Sequence, residues 1–190
     1  MTRVDALKLI AAAYPRDPIV VTLGATAREL AAVARSDNQL YVLDSMGLPP
    51  AIGLGLSLGL ADSSFDKCLV IEGDGSLLMG FSTLATIGLL QPAKLLLIVL
   101  DNGIYAATGG QKTASAAIDF AAVARGCGIA ASDVDEAEGF ARELARCRTE
   151  PGPILLRVRI STENAKTPYL LEDPVLLGDT FKRYVAAHRG

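Results

Sequence analysis

Two short polar runs in the middle of the chain carry residues with hard oxygen ligands. Asp74 lies in the run from Glu72 to Ser76, directly after an apolar stretch, and Asn102 follows the next apolar stretch. In a parallel α/β sheet the carboxyl ends of the strands converge on one crevice, which is the usual place for a ligand. An Asp carboxylate and an Asn carbonyl there suit Mg²⁺ held together with phosphate oxygens. The two runs therefore predict a metal and diphosphate site.

The composition limits the classes of protein to consider. With 190 residues the chain fits one domain spanning 1–190. The net charge of −3 is small, which gives no support to nucleic acid or an anionic membrane as a partner. Three widely spaced cysteines and a single histidine favour neither a zinc site nor a disulfide framework. No leader or long apolar run is evident, so we expect a cytoplasmic protein.

The elements that would position the two runs alternate between helix and strand. This patterning predicts an α/β fold, with a doubly wound, mainly parallel sheet and helices on both faces. Thr2 is a predicted cap for the first helix, with Asp5 three residues on. Strands are predicted over 19–23, 40–43, 68–72, 94–100 and 154–160, and helices near 4–11, 26–36, 49–61, 76–90, 118–126, 135–147 and 174–184.

Three glycine-containing segments need separate interpretation. The glycines of segment 53–59 lie in an apolar helical stretch with no strand directly before it, which favours close helix packing over dinucleotide binding. Gly24 follows a strand and opens a helix, where backbone amides bind an anion in some proteins and form an ordinary turn in others. Gly73-Asp74-Gly75 alone is common in turns, but Asn102 at the end of the next strand favours a metal-diphosphate site.

These residues resemble the signature of the thiamine diphosphate-dependent decarboxylases, in their diphosphate-binding domain. The resemblance implies that Mg²⁺ is bound by Asp74, by the Asn102 side chain and by the main-chain carbonyl of Ile104. Asp101 departs from the family, which commonly has Asn at this position, but the expected ligand Asn102 is intact. Further cofactor contacts are expected from Gly24, Gly73, Gly75, Ser76 and Tyr105.

Ser45-Met46-Gly47 resembles the family segment that holds the cofactor in its bent conformation. In that comparison Met46 is the large apolar side chain between the two cofactor rings, and Ser45 precedes it. By itself Met46 would be interpreted as an ordinary core or loop methionine.

The segment Thr108-Gly109-Gly110-Gln111-Lys112-Thr113 is similar to one found in phosphonopyruvate and sulfopyruvate decarboxylases. The resemblance implies a small anionic 2-oxo acid as substrate, with Gln111, Lys112 and Thr113 as candidate contacts. Read alone, the glycines would form a flexible loop and Lys112 would be a solvated charge. The pair Ala106-Ala107 departs from phosphonopyruvate enzymes, which usually have polar or charged residues there.

No catalytic residue is assigned to this chain. In the family, the carboxylate that activates the cofactor comes from a separate pyrimidine-binding domain, so the resemblance implies a catalytic Glu on a partner α subunit. Glu29 is interpreted as a solvated helix residue, and Glu72 is expected on the wrong side of the cofactor. The expected role is the β subunit of a split decarboxylase that converts sulfopyruvate to sulfoacetaldehyde and CO₂. The alternatives are a phosphonopyruvate decarboxylase subunit, an acetolactate synthase-like protein, or a cofactor-binding subunit without activity.

Overall fold

The computed structural model describes all residues from 1 to 190. In chain order its helices and strands are α1 (Arg3–Ala13), β1 (Ile19–Val21), α2 (Ala25–Ala34), β2 (Gln39–Tyr41), α3 (Pro49–Gly59), β3 (Cys68–Gly73), α4 (Asp74–Met79), α5 (Thr83–Leu90), β4 (Leu95–Asp101), β5 (Ile104–Tyr105), β6 (Gln111–Lys112), a 3₁₀ turn (Ala114–Ala117), α6 (Phe120–Gly126), β7 (Ala130–Val134), α7 (Ala137–Thr149), β8 (Ile154–Arg159) and α8 (Pro174–His188).

Six parallel strands form the central sheet in the order β2-β1-β3-β4-β8-β7. The chain moves outward from β1 to β2 and then returns to place β3 on the other side of β1. The strand order therefore reverses between β1 and β3, and ligands bind at such switch points, outside the carboxyl ends of the strands.

Helices cover both faces of this sheet. Alternate strand residues such as Ile71 and Ile98 point toward α1, α2 and α7, in an apolar cluster of 23 buried residues. Their neighbours Val70 and Leu97 point toward α3, α4, α5 and α6, in a second cluster of 13. The strands are apolar on both faces because both are covered, as expected for a parallel sheet. The predicted doubly wound α/β fold is confirmed.

The five predicted strands and the capping box of Thr2 and Asp5 are confirmed, and three local features differ. Strand β7 was not predicted, because its mixed, partly exposed sequence lacks an apolar run. The short antiparallel pair of β5 and β6 was also missed. The segment 76–90, predicted as one helix, is divided into α4 and α5, and α4 ends at Gly80.

No helix has the length and apolarity needed to span a bilayer. The single domain remains a prediction.

The glycines of α3 serve close packing, as the sequence indicates. Gly53 lies directly against β3, and a Cβ built on it would be 2.1 Å from Cγ2 of Val70. Gly55, in the same helix, is exposed, and a Cβ there would meet no atom within 4 Å.

We predict opposite effects on stability for alanine at these two positions. Gly53→Ala should lower the free energy of unfolding by about 1–3 kcal/mol, because the stiff Val70 side chain and the strand behind it must move. Gly55→Ala should raise it by about 0.5–1 kcal/mol through helix propensity alone. Urea denaturation measures both. Equal behaviour of the two variants would contradict the close packing of α3 on β3.

Candidate cofactor site

A cleft lies at the carboxyl ends of β1, β3 and β4, where the switch point was expected. The empty space in it is about 640 Å³ when the open solvent at its mouth is included. Nine of the ten residues predicted to contact the cofactor line this cleft: Gly24, Met46, Gly73, Asp74, Gly75, Ser76, Asn102, Ile104 and Tyr105. The tenth, Ser45, does not line it, and neither do Gln111, Lys112 or Thr113.

Asp74 is buried at the start of α4, and a chain of hydroxyls holds its carboxylate. Thr113 donates a hydrogen bond to Oδ2 of Asp74 at 2.5 Å, and the hydroxyl of Ser115 lies 3.0 Å from that of Thr113. Burial raises the pKa of Asp74, the bond from Thr113 lowers it and the charge of Asp101 raises it. Thr113, a predicted substrate contact, thus lies behind Asp74 and fixes its orientation.

The loop after β4 places Asn102 and Ile104 at the same edge. The side-chain oxygen of Asn102 accepts a hydrogen bond from the backbone N–H of Ile104 at 3.2 Å. Asp101 accepts from the backbone of Gly103 at 3.0 Å and forms an ion pair with Arg157 at 2.6 Å. Asp101, the departure from the family pattern, therefore stabilises the loop through its carboxylate.

Gly75 is required by the close approach of Tyr105. A Cβ on Gly75 would lie 2.3 Å from Cε1 of the Tyr105 ring and 2.9 Å from Cγ2 of Thr113. Two parts of the sequence motif, the Gly-Asp-Gly run and the segment after Asn102, are therefore in direct contact.

Met46 is held beside the cleft by a contact between two glycine backbones. Gly47, at a φ of +80°, packs on Gly80, and a Cβ on Gly80 would lie 2.1 Å from the carbonyl oxygen of Gly47. The N–H of Gly47 also donates to the hydroxyl of Ser76 at 3.0 Å. The Met46 side chain lines the cleft and remains partly exposed. Nothing in the spacing of Gly47 and Gly80 signalled this contact.

The two glutamates near the cleft are both buried. The interpretation of Glu29 as a solvated helix residue is wrong, because Glu29 is 1% exposed and forms an ion pair with Arg3 at 3.0 Å. Sequence reasoning missed Arg3 altogether, although it lines the cleft, since nothing in a separation of 26 residues suggests a pair.

Glu72 is fully buried at the end of β3. One carboxylate oxygen accepts from the N–H of Gly73 at 2.9 Å, and the other accepts no hydrogen bond of good geometry. Burial raises the pKa of Glu72 to about 7, although the hydroxyls of Ser76 and Thr22 lie close by and lower it. Ser76 and Thr22 are in turn 3.2 Å apart, which joins the ends of β1 and α4.

Gln111 and Lys112 lie in the exposed strand β6 rather than in the cleft. Gln111 bonds back to Thr108 in the turn between β5 and β6, at 3.0 and 3.1 Å. Lys112 makes no ion pair within this chain. Their role in substrate binding stays a prediction.

The chemistry of these groups fits Mg²⁺ bound together with a diphosphate. One carboxylate, one amide oxygen and one main-chain carbonyl come from Asp74, Asn102 and Ile104, and Mg²⁺ prefers a few such ligands completed by phosphate oxygens. No cluster of three or more His, Cys, Asp and Glu residues is present, so the chain offers no all-protein cage. Gly24 and Gly73 line the cleft, and a Cβ on either would meet no atom of the chain, which leaves space for a bound group.

Comparisons with known proteins identify the family of the chain. Residues 22–158 match the family model described as thiamine pyrophosphate enzyme, C-terminal TPP binding domain, where thiamine pyrophosphate is another name for thiamine diphosphate. The chain belongs to this family of thiamine pyrophosphate enzymes and contains its C-terminal cofactor-binding domain.

Individual relatives are more informative about particular enzymes than the family model is. The chain is 38% identical over 161 residues to phosphonopyruvate decarboxylase of Streptomyces viridochromogenes, covering 84% of this chain and 40% of that protein. It is 33% identical over 177 residues to the beta subunit of sulfopyruvate decarboxylase of Methanocaldococcus jannaschii, covering 92% of each. Among solved structures, benzoylformate decarboxylase from Polynucleobacter necessarius matches 84% of this chain and 33% of its own, with a TM-score of 0.72 and 16% identity.

The bond from Thr113 to Asp74 generates a test by substitution. Thr113→Val removes the donor but keeps the shape, so it should weaken Mg²⁺-dependent binding of thiamine diphosphate by about 10- to 100-fold, as for other residues behind a metal ligand. Calorimetric titration at several Mg²⁺ concentrations measures this. Thr113→Ser retains the hydroxyl and should bind nearly as tightly as the natural protein. Equal affinities of the Val and Ser variants would contradict the role of the hydroxyl.

The raised pKa of Glu72 predicts a pH dependence of stability in the metal-free protein. The folded protein retains a proton on Glu72 up to about pH 7, whereas the unfolded chain loses it near about pH 4.3. Folding stability from this group is therefore complete below about pH 4.3 and falls as the pH rises from there through about 7, by about 4 kcal/mol in all.

Glu72→Gln should remove this part of the pH dependence. Urea denaturation of both proteins from pH 4.5 to 8, in the presence of a metal chelator, measures how the free energy of unfolding of each protein changes with pH. Parallel curves for the two proteins would show that Glu72 is already ionised at low pH in the folded state.

Proposed function

We propose that this chain is the cofactor-binding subunit of a two-chain, thiamine diphosphate-dependent decarboxylase that converts sulfopyruvate to sulfoacetaldehyde and CO₂. The cleft carries the proposal, because Asp74, Asn102 and Ile104 follow neighbouring strands and surround one space beside Met46. The substrate and the division into two chains are supported by the sulfopyruvate decarboxylase beta subunit, which this chain matches over 92% of its length.

Each residue of the cleft has a role in this proposal. Asp74, the Asn102 side chain and the Ile104 carbonyl would hold Mg²⁺, which anchors the diphosphate. Met46 would provide an apolar surface against the cofactor rings. The contact between Gly47 and Gly80 would fix the position of the loop that carries it. When bound, thiamine diphosphate supplies the site that accepts electrons as CO₂ leaves the 2-oxo acid.

A partner chain is needed because the cleft lacks an activating glutamate. Asp74 is the only carboxylate that lines it, and Glu29 and Glu72 are buried behind the residues that line it. An exposed apolar group of Met46, Leu48 and Met79 lies beside the cleft, with Met79 in contact with Gly47. Exposed apolar groups of this kind mark interaction surfaces, and this one would place an α subunit over the cleft.

A phosphonopyruvate decarboxylase is the second candidate. The 38% identity to the Streptomyces enzyme favours this candidate. The chain spans only 40% of the length of that enzyme. Ala106 and Ala107 stand against it, because Ala106 lines the cleft where a polar residue is usual in that group.

The test uses the assembly that this chain forms in its own host, purified through a tag with Mg²⁺ and thiamine diphosphate. We expect a second chain to co-purify, and release of CO₂ to be faster from sulfopyruvate than from phosphonopyruvate or pyruvate. Asp74→Asn should lower the rate by more than about 100-fold, beyond the range for residues behind a ligand. Asp62→Asn, at an exposed position in the turn after α3 and outside the cleft, is the matched control.

Each result has a distinct meaning. Faster turnover of phosphonopyruvate would show that the proposed substrate is wrong, and the proposed two-chain arrangement would still hold. A homo-oligomer with neither partner nor cofactor would overturn the proposal.

A further inference from the structure

Arg3 is a buried arginine that lines the cleft. It is 4% exposed, and it is the only lysine or arginine among the residues that line this space. Asp74 is the only other charged residue there. A buried charge is costly unless it has a partner or a ligand, so the position of Arg3 requires an explanation.

Two neighbours hold the guanidinium from one side. Its Nη1 donates to Oε1 of Glu29 at 3.0 Å and to the side-chain oxygen of Asn164 at 2.8 Å. The backbone N–H of Ala165 donates to the same Glu29 oxygen at 2.9 Å. Burial lowers the pKa of Arg3, while the charges of Glu29 and Asp74 raise it. The guanidinium stays charged, since arginine does not deprotonate in proteins, and its orientation is fixed.

The other donors of Arg3 have no partner in this chain. Neither Nε nor Nη2 makes a hydrogen bond, although both belong to a planar group suited to phosphate oxygens. Helix α2, which carries Glu29, begins at the same cleft, and Gly24 provides it with no side-chain cap. The first backbone amides of a helix have no acceptors within the helix, and they attract an anion there. The guanidinium and the helix start thus offer donors to one space.

We propose that Arg3 binds the diphosphate group of the cofactor, in the same cleft as the Mg²⁺ ligands, with Glu29 as the counter-charge that compensates its burial. The inference rests on the proposed cofactor site. It assigns the first residue of α1 to the cleft, as the cation that complements Mg²⁺ around a polyanion. Asp74 and Arg3 line the same cleft, so both residues would face the same group.

Paired substitutions separate a ligand from a merely structural ion pair. Arg3→Gln alone would leave Glu29 charged and buried without a partner, and such a variant is expected to unfold readily. The double variant Arg3→Gln with Glu29→Gln removes both charges. Glu29→Gln alone removes only the counter-charge. It keeps a side-chain oxygen that accepts from Arg3, and Arg3 also retains its bond to Asn164 and its place in the open cleft. The matched control neutralises the exposed pair of Arg35 and Glu172, which joins the end of α2 to the segment before α8.

The measurement is calorimetric binding to the assembly purified from its host, stripped of cofactor and supplied with Mg²⁺. The probes are thiamine diphosphate and inorganic diphosphate. We expect the Arg3→Gln and Glu29→Gln double variant to bind both probes about 10- to 100-fold more weakly, the effect of losing hydrogen bonds to a charged group. Glu29→Gln should bind both at least as tightly as the natural protein, and the Arg35 and Glu172 control should be unchanged.

The outcomes distinguish this inference from the proposed function. Affinity of the double variant within twofold of the natural protein for inorganic diphosphate overturns the role of Arg3. Equal losses in Glu29→Gln and in the double variant also overturn it, because the pair would then be structural. If the natural assembly itself fails to bind thiamine diphosphate, the proposed function fails and the inference fails with it.

Discussion

The parallel register of β3 and β4 is the constraint on which the cleft depends. Gly73 pairs with Leu100, so Asp74 leaves the sheet beside the residues that lead to Asn102. A slip of one residue would turn every side chain of a strand to the opposite face. The register is fixed because both faces of these strands are buried, with Ile71 and Ile98 packed on one side and Val70 and Leu97 on the other. The proposed oxygen ligands of the site are therefore positioned by the core packing of the strands that end beside them.

Hydrogen bonds from neighbouring residues orient the proposed ligands after the strand register has brought them together. Thr113 and Ser115 orient the carboxylate of Asp74, and Asp101 holds the loop of Asn102 through Gly103 and Arg157. Hydrogen bonds to a ligating carboxylate remove its rotational freedom before any metal arrives, which lowers the cost of binding. The segment after β4 thus supplies one proposed ligand, Asn102, and through Thr113 it orients another, Asp74.

Sequence patterns were most informative where the structure is most regular. Apolar runs indicated β3, β4 and the first half of β8, because strands that are covered on both faces are apolar at successive positions. The edge strand β7 lacked such a run. The spacing of Asp74 and Asn102 indicated their meeting, because parallel strands end at a common edge. No local pattern could indicate the burial of Glu29 or its pairing with Arg3, since that contact depends on how α1 packs against α2.

The contact between Gly47 and Gly80 has a consequence for how related sequences should vary. Each glycine leaves the space that the other's backbone fills, so neither position tolerates a side chain while the other keeps its present path. One belongs to the loop that carries Met46, and the other to the break between α4 and α5. The two positions form a single steric unit. Across diverged relatives they should change together or not at all, and a lone substitution at either would mark a chain whose methionine loop has taken a different course.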